Sequence, residues 1–186
     1  MPEWEFTLII DGDVLRDETA DWLFEAGCDD ATFGSVDNVS YGEFTREADS
    51  FAEAVLSAIA AVDSTPDLTV LRLEPDELVT MSDIAERSDR TRESVRLLVA
   101  GERGEGDFPP PYTHSLTRNR LWRWTDVVRW FGADKPDVIL RADVIAAVNA
   151  ALELRRRSHA LEGRAADQLY DLASGRRLEP FSPVGT

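Results

Sequence analysis

All nine basic residues between positions 79 and 131 are arginines, and the spacing of one group of them is suited to nucleic-acid binding. In residues 91–100, Val95 and Leu98 recur at helical spacing, which places the neighbouring arginines on the opposite face of a helix. A guanidinium offers several N–H donors in one plane and pairs well with phosphates and with guanine edges. We therefore predict a recognition helix in the major groove of double-stranded DNA. Its predicted contact residues are Arg90, Thr91, Arg92, Glu93 and Arg96.

A second group of arginines lies in a predicted β-hairpin. Residues 112–116 and 121–124 have the composition of two short strands, and the polar residues 117–120 form a turn between them. Side chains at such a turn would follow the DNA backbone or enter the minor groove. The predicted contact residues of this hairpin are Arg118, Asn119, Arg120 and Arg123.

Short helices must position both groups. Thr80 and Asp83 have the spacing of a capping box for a first helix, whose inner face would carry Ile84 and Ala85. Thr91 would cap the recognition helix, and Gly101 would end it. After the hairpin, Thr125 would cap a third helix over residues 126–131. This order of helix, turn, helix, hairpin and helix predicts a winged helix-turn-helix over residues 79–132.

The same stretch resembles a known family. Residues 84–87 read IAER, residues 104–111 fit GxGxFPxP, and residues 121–131 fit LWRWxDVxxWF. The chain is similar over about 50 residues to the excisionase/MerR-like winged helix-turn-helix family, in its actinobacterial form. The resemblance implies DNA binding and transcription regulation. Asp89 departs from the family, whose turn commonly has glycine, although aspartate tolerates a left-handed conformation better than most residues. We expect the aromatic residues Trp122, Trp124, Trp130 and Phe131 to form the core of this small domain.

The charge distribution indicates two domains. The chain carries a net charge of −16, and residues 1–78 contain 3 basic and 20 acidic residues. Residues 79–131 contain nine arginines and eight acidic residues, so local arginines remain available for phosphates. The acidic neighbour should weaken non-specific DNA binding. Cys28 is the only cysteine, which excludes an internal disulfide and a multi-cysteine zinc site.

The whole chain is predicted to belong to the α+β class. Within it, residues 1–75 predict a ferredoxin-like domain. Its pattern is βαββαβ, with two helices on one face of a four-stranded antiparallel sheet. The strands are predicted at 5–10, 30–36, 39–45 and 68–73, and the helices at 17–26 and 51–62. The first helix would have Ala20, Leu23 and Phe24 on its inner face. The second would begin with a capping box of Ser50 and Glu53 and would bury four residues: Phe51, Val55, Ile59 and Val62. The opposite sheet face would be partly polar, or covered by a ligand, a partner or another copy. Its predicted residues are Thr7, Ile9, Thr32, Gly34, Ser40 and Gly42.

Few residues suggest catalysis. Four acidic residues near the first loop could hold a divalent cation, but the glycine and distal glutamate of a calcium loop are out of register, so a solvated acidic rim is favoured. These residues are Asp11, Asp13, Asp17 and Glu18. His114 and His159 lie about 45 residues apart and give no support for a hydrolytic triad, and the chain contains no P-loop or dinucleotide fingerprint. We therefore predict no catalytic residues, no metal and no cofactor.

The C-terminal residues 135–174 predict one or more helices, followed by a disordered tail at 175–186. An apolar stripe on the first helix must pack on the N-terminal sheet or on a second protomer, and we predict a homodimer through it. The stripe comprises Val138, Ile145, Val148 and Leu152, with Leu161, Leu169 and Leu172 as its extension. Residues 155–157 are three arginines, and a solvated helix face is favoured over phosphate contacts.

Together these patterns predict a cytoplasmic, non-enzymatic, sequence-specific DNA-binding protein. Neither a transmembrane run nor a signal peptide is recognisable, so we expect no membrane association. An alternative from another class is an antitoxin or adaptor whose acidic N-terminal domain binds a basic protein partner. The two differ in whether arginines or carboxylates provide the binding energy.

Overall fold

The computed structural model describes residues 1–113, 120–132, 136–158 and 163–177, and these form a mixed α+β structure. The predicted α+β class is therefore confirmed. The strands are β1 (Glu3–Asp11), β2 (Ala31–Val36), β3 (Val39–Glu47), β4 (Thr69–Glu74), β5 (Leu78–Val79) and β6 (Trp122–Arg123). The helices are α1 (Asp17–Glu25), α2 (Phe51–Asp63), α3 (Met81–Arg87), α4 (Arg92–Val99), α5 (Trp124–Phe131), α6 (Pro136–Ser158) and α7 (Arg164–Ala173). Within these ranges, no helix has the length and apolar composition needed to cross a membrane.

The first four strands form one antiparallel sheet in the order β2-β3-β1-β4. Asp37 and Asn38 join β2 to β3, and their φ values of 52° and 63° are the left-handed pair that a two-residue hairpin turn requires. With α1 and α2 inserted between strands, the chain order is βαββαβ, and the boundaries lie close to those predicted from the sequence.

The two faces of this sheet differ because side chains alternate along each strand. In β1, Phe6, Leu8 and Ile10 are buried in the main core, and the residues between them are more exposed. Helix α2 covers the buried face. Its N-cap is Ser50, whose hydroxyl accepts a hydrogen bond of 3.2 Å from the Glu53 amide. This is the Ser50 half of the predicted capping box. The predicted inner residues of α2 are all buried: Phe51, Val55, Ile59 and Val62.

Helix α1 has a different buried face from the one predicted. Its buried residues are Thr19 and Leu23, whereas Ala20 is exposed and the Phe24 side chain is 69% exposed. Sequence periodicity alone could not separate these faces, because α1 is only nine residues long and its apolar residues are too few to define one stripe.

Helix α6 packs against the N-terminal sheet. Ile145, Val148 and Leu152 are buried in the same core as Val70 and Leu73 of β4. The prediction that these three side chains form a dimer interface is therefore wrong, because the chain's own sheet covers them. The homodimer itself, which was predicted through the C-terminal helix, stays a prediction.

The predicted extension of the apolar stripe does not continue as a buried face. Val138 and Leu172 are exposed, Leu169 is half-buried, and Leu161 lies outside the described residues. The arginines at 155–157 form local contacts. Arg155 pairs with Asp63 and donates to the Val70 carbonyl, and its two neighbours pair with Glu153 on their own helix. Of the predicted disordered tail, residues 178–186 lie outside the described residues.

A second, smaller core lies within residues 79–131. It is formed by β5, β6 and the helices α3, α4 and α5, with Trp122 fully buried at its centre. The strand before α5 pairs with β5, Leu78 opposite Arg123 and Val79 opposite Trp122. The predicted wing pairing joined residues 121–124 to 112–116. Tyr112 and Thr113 do hydrogen-bond to Leu121, and residues 114–116 lie outside the described residues.

The start of α5 also differs from the prediction. The helix begins at Trp124 with Arg123 in the N-cap position, and Thr125 is buried inside its first turn. The Trp124 amide donates to the Glu77 carbonyl at 2.7 Å, so pairing with the segment before α3 fixes where the strand ends. A cap at Thr125 was a local inference, and this non-local pairing overrides it.

Candidate nucleic-acid interface

Helices α3 and α4 form the predicted helix pair. Thr80 and Asp83 make both hydrogen bonds of the capping box that begins α3. Ile84 and Ala85 are buried against α4, and the alanine permits the two helices to approach closely. Asp89 adopts a φ of 50°, the left-handed conformation that its place in the turn predicted.

The second helix begins and ends as predicted. The Thr91 hydroxyl accepts a hydrogen bond of 3.1 Å from the Ser94 amide, and Gly101 has a φ of 70° just after the last turn. Val95 and Leu98 are buried, so the helix has a defined inner face. Its outer face is exposed, and the predicted contact residues there are Thr91, Arg92, Glu93 and Arg96.

The two arginines of α4 have different surroundings. Arg96 lies 3.0 Å from Glu93 and 3.5 Å from Glu102, and hydrogen bonding to Glu93 raises the pKa of its guanidinium. Arg92 is exposed and has no ion-pair partner among the residues that the structure describes. Arg92 is therefore the more available cation, whereas Arg96 must exchange carboxylates for any phosphate.

Arg90 lies in the turn between the two helices. Its guanidinium carbon is 5.0 Å from the centre of the Phe131 ring, a cation–π distance. The side chain is exposed, so this ring orients the guanidinium at the surface while leaving its N–H donors accessible. Arg90 thus lies beside Thr91 and Arg92, as the sequence predicted.

Of the predicted hairpin residues, the structure describes Arg120 and Arg123. Arg120 is exposed. Arg123 donates to Glu77 at 2.6 Å and stacks 4.5 Å from the centre of the Tyr112 ring, and its hydrogen bond to Glu77 raises its pKa. Arg123 is therefore held by the protein. Arg118 and Asn119 lie outside the described residues.

The base of the hairpin has defined hydrogen bonds. The Tyr112 amide donates to the Leu121 carbonyl at 2.7 Å, and the Leu121 amide donates to the Thr113 hydroxyl at 3.1 Å. These bonds bring residues 112 and 121 together, directly before β6 and the start of α5.

An aromatic cluster supports this part of the chain. The indole N–H groups of Trp122 and Trp130 donate hydrogen bonds to the segment between α4 and β6. Their acceptors are the Pro109 carbonyl, at 3.1 Å, and the Gly106 carbonyl, at 2.9 Å. Phe108 packs edge-on against both tryptophans. The predicted core role of Trp122 is confirmed. The other three aromatic residues of the predicted core are only half-buried: Trp124, Trp130 and Phe131.

Arg87 was not among the predicted site residues, although the structure places it beside them. It lies at the end of α3, half-buried, with its guanidinium carbon 5.4 Å from the centre of the Trp124 ring. Burial lowers the pKa of this guanidinium, and the nearby carboxylates of Asp83 and Asp76 offset only part of the effect. The sequence placed Arg87 in the last turn of α3, but the aromatic surface that half-buries it is more than 35 residues away in the chain.

The acidic residues that could have held a cation are dispersed. Asp13 accepts a hydrogen bond of 3.0 Å from the Leu15 amide, which is a local turn contact. No group of three or more potential metal ligands occurs in the described ranges. The solvated rim remains the preferred interpretation of Asp11, Asp13, Asp17 and Glu18.

No protein-family model, no curated protein and no solved structure matches this chain.

Proposed function

We propose that this chain is a sequence-specific protein that binds double-stranded DNA and regulates transcription. The observation that carries the proposal is the division of α4 into two faces. Val95 and Leu98 are buried, Val95 in the same core as Ile84 and Ala85 of α3, while Arg92 and Arg96 are exposed. A helix anchored on one side and bearing arginines on the other is suited to the major groove.

The neighbouring elements support the same proposal. A capped helix pair, a closed hairpin base at residues 112 and 121, and a following helix occur in the order of a winged helix-turn-helix. We assign Arg120, with Arg118 and Asn119, to wing contacts with the phosphate backbone. Arg123 is a weaker candidate, because Glu77 and Tyr112 already hold it. The βαββαβ order and the sheet order β2-β3-β1-β4 support a ferredoxin-like arrangement for the N-terminal domain.

One observation favours the second candidate, an antitoxin-like or adaptor-like module that binds a basic protein. The sheet face opposite α2 is acidic: Glu3 lies directly across from Glu47, and Thr7 lies between Glu43 and Glu74. Like charges on adjacent strands are unfavourable, and a cationic partner would relieve them. Beside them, Val36 and Val39 are 61% and 45% exposed. Arginines carry the binding energy in the first candidate, and these carboxylates carry it in the second.

Selection of DNA from a random duplex pool by the full-length chain tests the first candidate. We expect enrichment of a defined sequence and a binding constant that falls with salt, because phosphate contacts release counterions. Recovery of unenriched DNA, with no retarded complex for any selected duplex, would contradict DNA-sequence recognition. Affinity for a lysine-rich peptide, abolished by neutralising Glu43 and Glu47, would then favour the second candidate.

A further inference from the structure

A cavity lies beside the candidate DNA-binding surface, between the end of α3, one side of α5 and the start of α6. Its volume is about 230 Å³. Arg87 and Arg90 form its polar part. The walls are largely apolar and are formed by Trp124, Val128, Phe131 and Val138, with Ser88 and Gly132 completing the described lining.

The two arginines are oriented by aromatic rings instead of by carboxylates. Arg87 lies over Trp124 at 5.4 Å and Arg90 over Phe131 at 5.0 Å, each distance measured from the guanidinium carbon to the ring centre. In the part of the chain that the structure describes, neither guanidinium forms an ion pair, and no acidic side chain lines the cavity. Arg87 donates a hydrogen bond of 2.9 Å to a backbone oxygen, the carbonyl of Asp76. The N–H donors of the two arginines therefore form no ion pair within the described ranges, although the carboxylates of Asp83 and Asp76 lie near Arg87.

We propose that this cavity binds a small organic anion, a carboxylate carried on a flat apolar group of about the size of benzoate. The carboxylate would accept charge-assisted hydrogen bonds from Arg87 and Arg90, and the apolar group would pack on Val128, Phe131 and Val138. A phosphodiester of DNA offers the charge but no apolar group to fill these walls, so the lining favours the organic anion.

The position of the cavity gives the ligand a route to regulation. Arg90 lies in the turn that begins α4, and Val138 lies on α6, which packs on the N-terminal sheet. A bound anion would contact both, and so would connect the α3–α4 pair to the N-terminal domain. A ligand with different affinities for two arrangements of these elements would change DNA affinity, and DNA would change the affinity for the ligand by the same factor. This regulatory step rests on the proposed function, whereas ligand binding itself does not.

Titration of the full-length protein with sodium benzoate, in the absence of DNA, tests the proposal. The indole of Trp124 lines the cavity, so we expect a saturable change in tryptophan fluorescence that the Trp124→Phe variant lacks. Benzyl alcohol has nearly the same shape without the charge and should give no saturable change. Arg90→Gln and Arg87→Gln should each weaken benzoate binding about tenfold or more, since each removes hydrogen bonds to a charged group. Arg103→Gln removes an exposed arginine that does not line the cavity, and should have no effect.

Several outcomes would overturn the proposal. One is the absence of saturation by benzoate, and another is equal binding of benzoate and benzyl alcohol. A third is unchanged benzoate affinity in Arg90→Gln, which alters an exposed side chain and keeps the test decisive if Arg87→Gln does not fold. If a short DNA duplex changes Trp124 fluorescence through these arginines and benzoate does not, the cavity is a DNA contact and the proposal fails. Because the benzoate titration contains no DNA, its result is independent of whether the chain binds DNA.

Discussion

The carboxamide of Asn149 pairs with both backbone groups of Leu73. The Leu73 amide donates to Asn149 Oδ1 at 2.7 Å, and Asn149 Nδ2 donates to the Leu73 carbonyl at 2.8 Å. Leu73 lies in β4, at the edge of the sheet, where backbone groups have no neighbouring strand. One side chain of α6 therefore takes the place of a neighbouring strand at this position.

Replacing Asn149 should destabilise the fold. Asn149→Ala removes both hydrogen bonds and leaves the amide and carbonyl of fully buried Leu73 without these partners, so we expect a decrease of about 1–3 kcal/mol in the free energy of unfolding. Chemical denaturation monitored by circular dichroism measures this change. Arg156→Ala is a matched control on the same helix, since Arg156 is exposed and pairs with Glu153, and it should change stability by less than about 0.5 kcal/mol. Equal stability of the two variants would show that the two hydrogen bonds at the sheet edge contribute little.

The packing of α6 leads to a second prediction, about Leu152. This side chain is 6% exposed and lies in the N-terminal core, so Leu152→Ala should cost about 2–5 kcal/mol through the cavity it leaves. We expect a lower melting temperature and an unchanged mass by light scattering. A variant that keeps its melting temperature but changes from dimer to monomer would instead restore the interface that the sequence predicted for this stripe.

Local patterns were sufficient to predict the helix pair. Thr80, Asp83 and Thr91 cap helices through residues three positions away, and the left-handed turn at Asp89 depends on its immediate neighbours. Such interactions are encoded within a few residues of sequence. The same holds for the alternation of buried residues in β1 and the periodicity of α2.

Non-local pairings account for the predictions that were wrong. The apolar stripe of α6 required a partner, but periodicity does not distinguish a sheet of the same chain from a second protomer. Trp124 begins α5 because its amide bonds to Glu77, 47 positions earlier. Arg87 lies beside the candidate site because Trp124 contacts it in the folded chain. Each of these pairings joins residues that are far apart in the chain, so no local sequence pattern predicts it.

Helix α4, the proposed recognition helix, provides the third prediction. Arg92→Ala should weaken binding to the selected DNA sequence by about 1–3 kcal/mol and relax preference at one base position. Arg96→Ala should have a smaller effect, because Arg96 gives up its ion pairs with Glu93 and Glu102 when it binds DNA. Gel-shift titrations give both affinities. Arg16→Ala, which alters an exposed arginine of the N-terminal domain, is the control and should bind like the parent. If both α4 variants also bind like the parent, α4 is not the recognition helix.

The proposed wing provides the fourth prediction. Arg120→Ala should weaken binding to all DNA sequences alike, because a wing arginine is expected on the phosphate backbone. The slope of log K against log salt should decrease by about one unit for each phosphate that the variant no longer neutralises. Arg123→Ala should change this slope less, since Glu77 already holds Arg123. Weaker binding confined to one base pair would mean that the wing reads sequence.

The last prediction concerns the acidic sheet face, which we expect to oppose DNA binding. Residues 1–78 carry a net charge of −17, and α6, which follows the candidate DNA-binding segment, packs on their sheet. Deleting this domain would expose the apolar face of α6, so the full chain with neutral substitutions is the better test. Glu3→Gln, Glu43→Gln and Glu47→Gln together alter three exposed carboxylates on that face.

The triple variant should bind DNA more tightly than the parent at low salt, where the Debye length is about 30 Å at 0.01 M. The increase in affinity should shrink near physiological salt, where charges more than about 8 Å from the bound phosphates are screened. A charge-matched control variant neutralises three other exposed carboxylates, Asp17, Asp21 and Glu25 of α1. Equal increases in the two variants would show an effect of net charge, and a larger increase for the sheet face would show that this face lies nearer the DNA. Unchanged affinity of both variants at low salt would show that the acidic domain does not oppose DNA binding, and its carboxylates would then be better explained by binding to a basic protein.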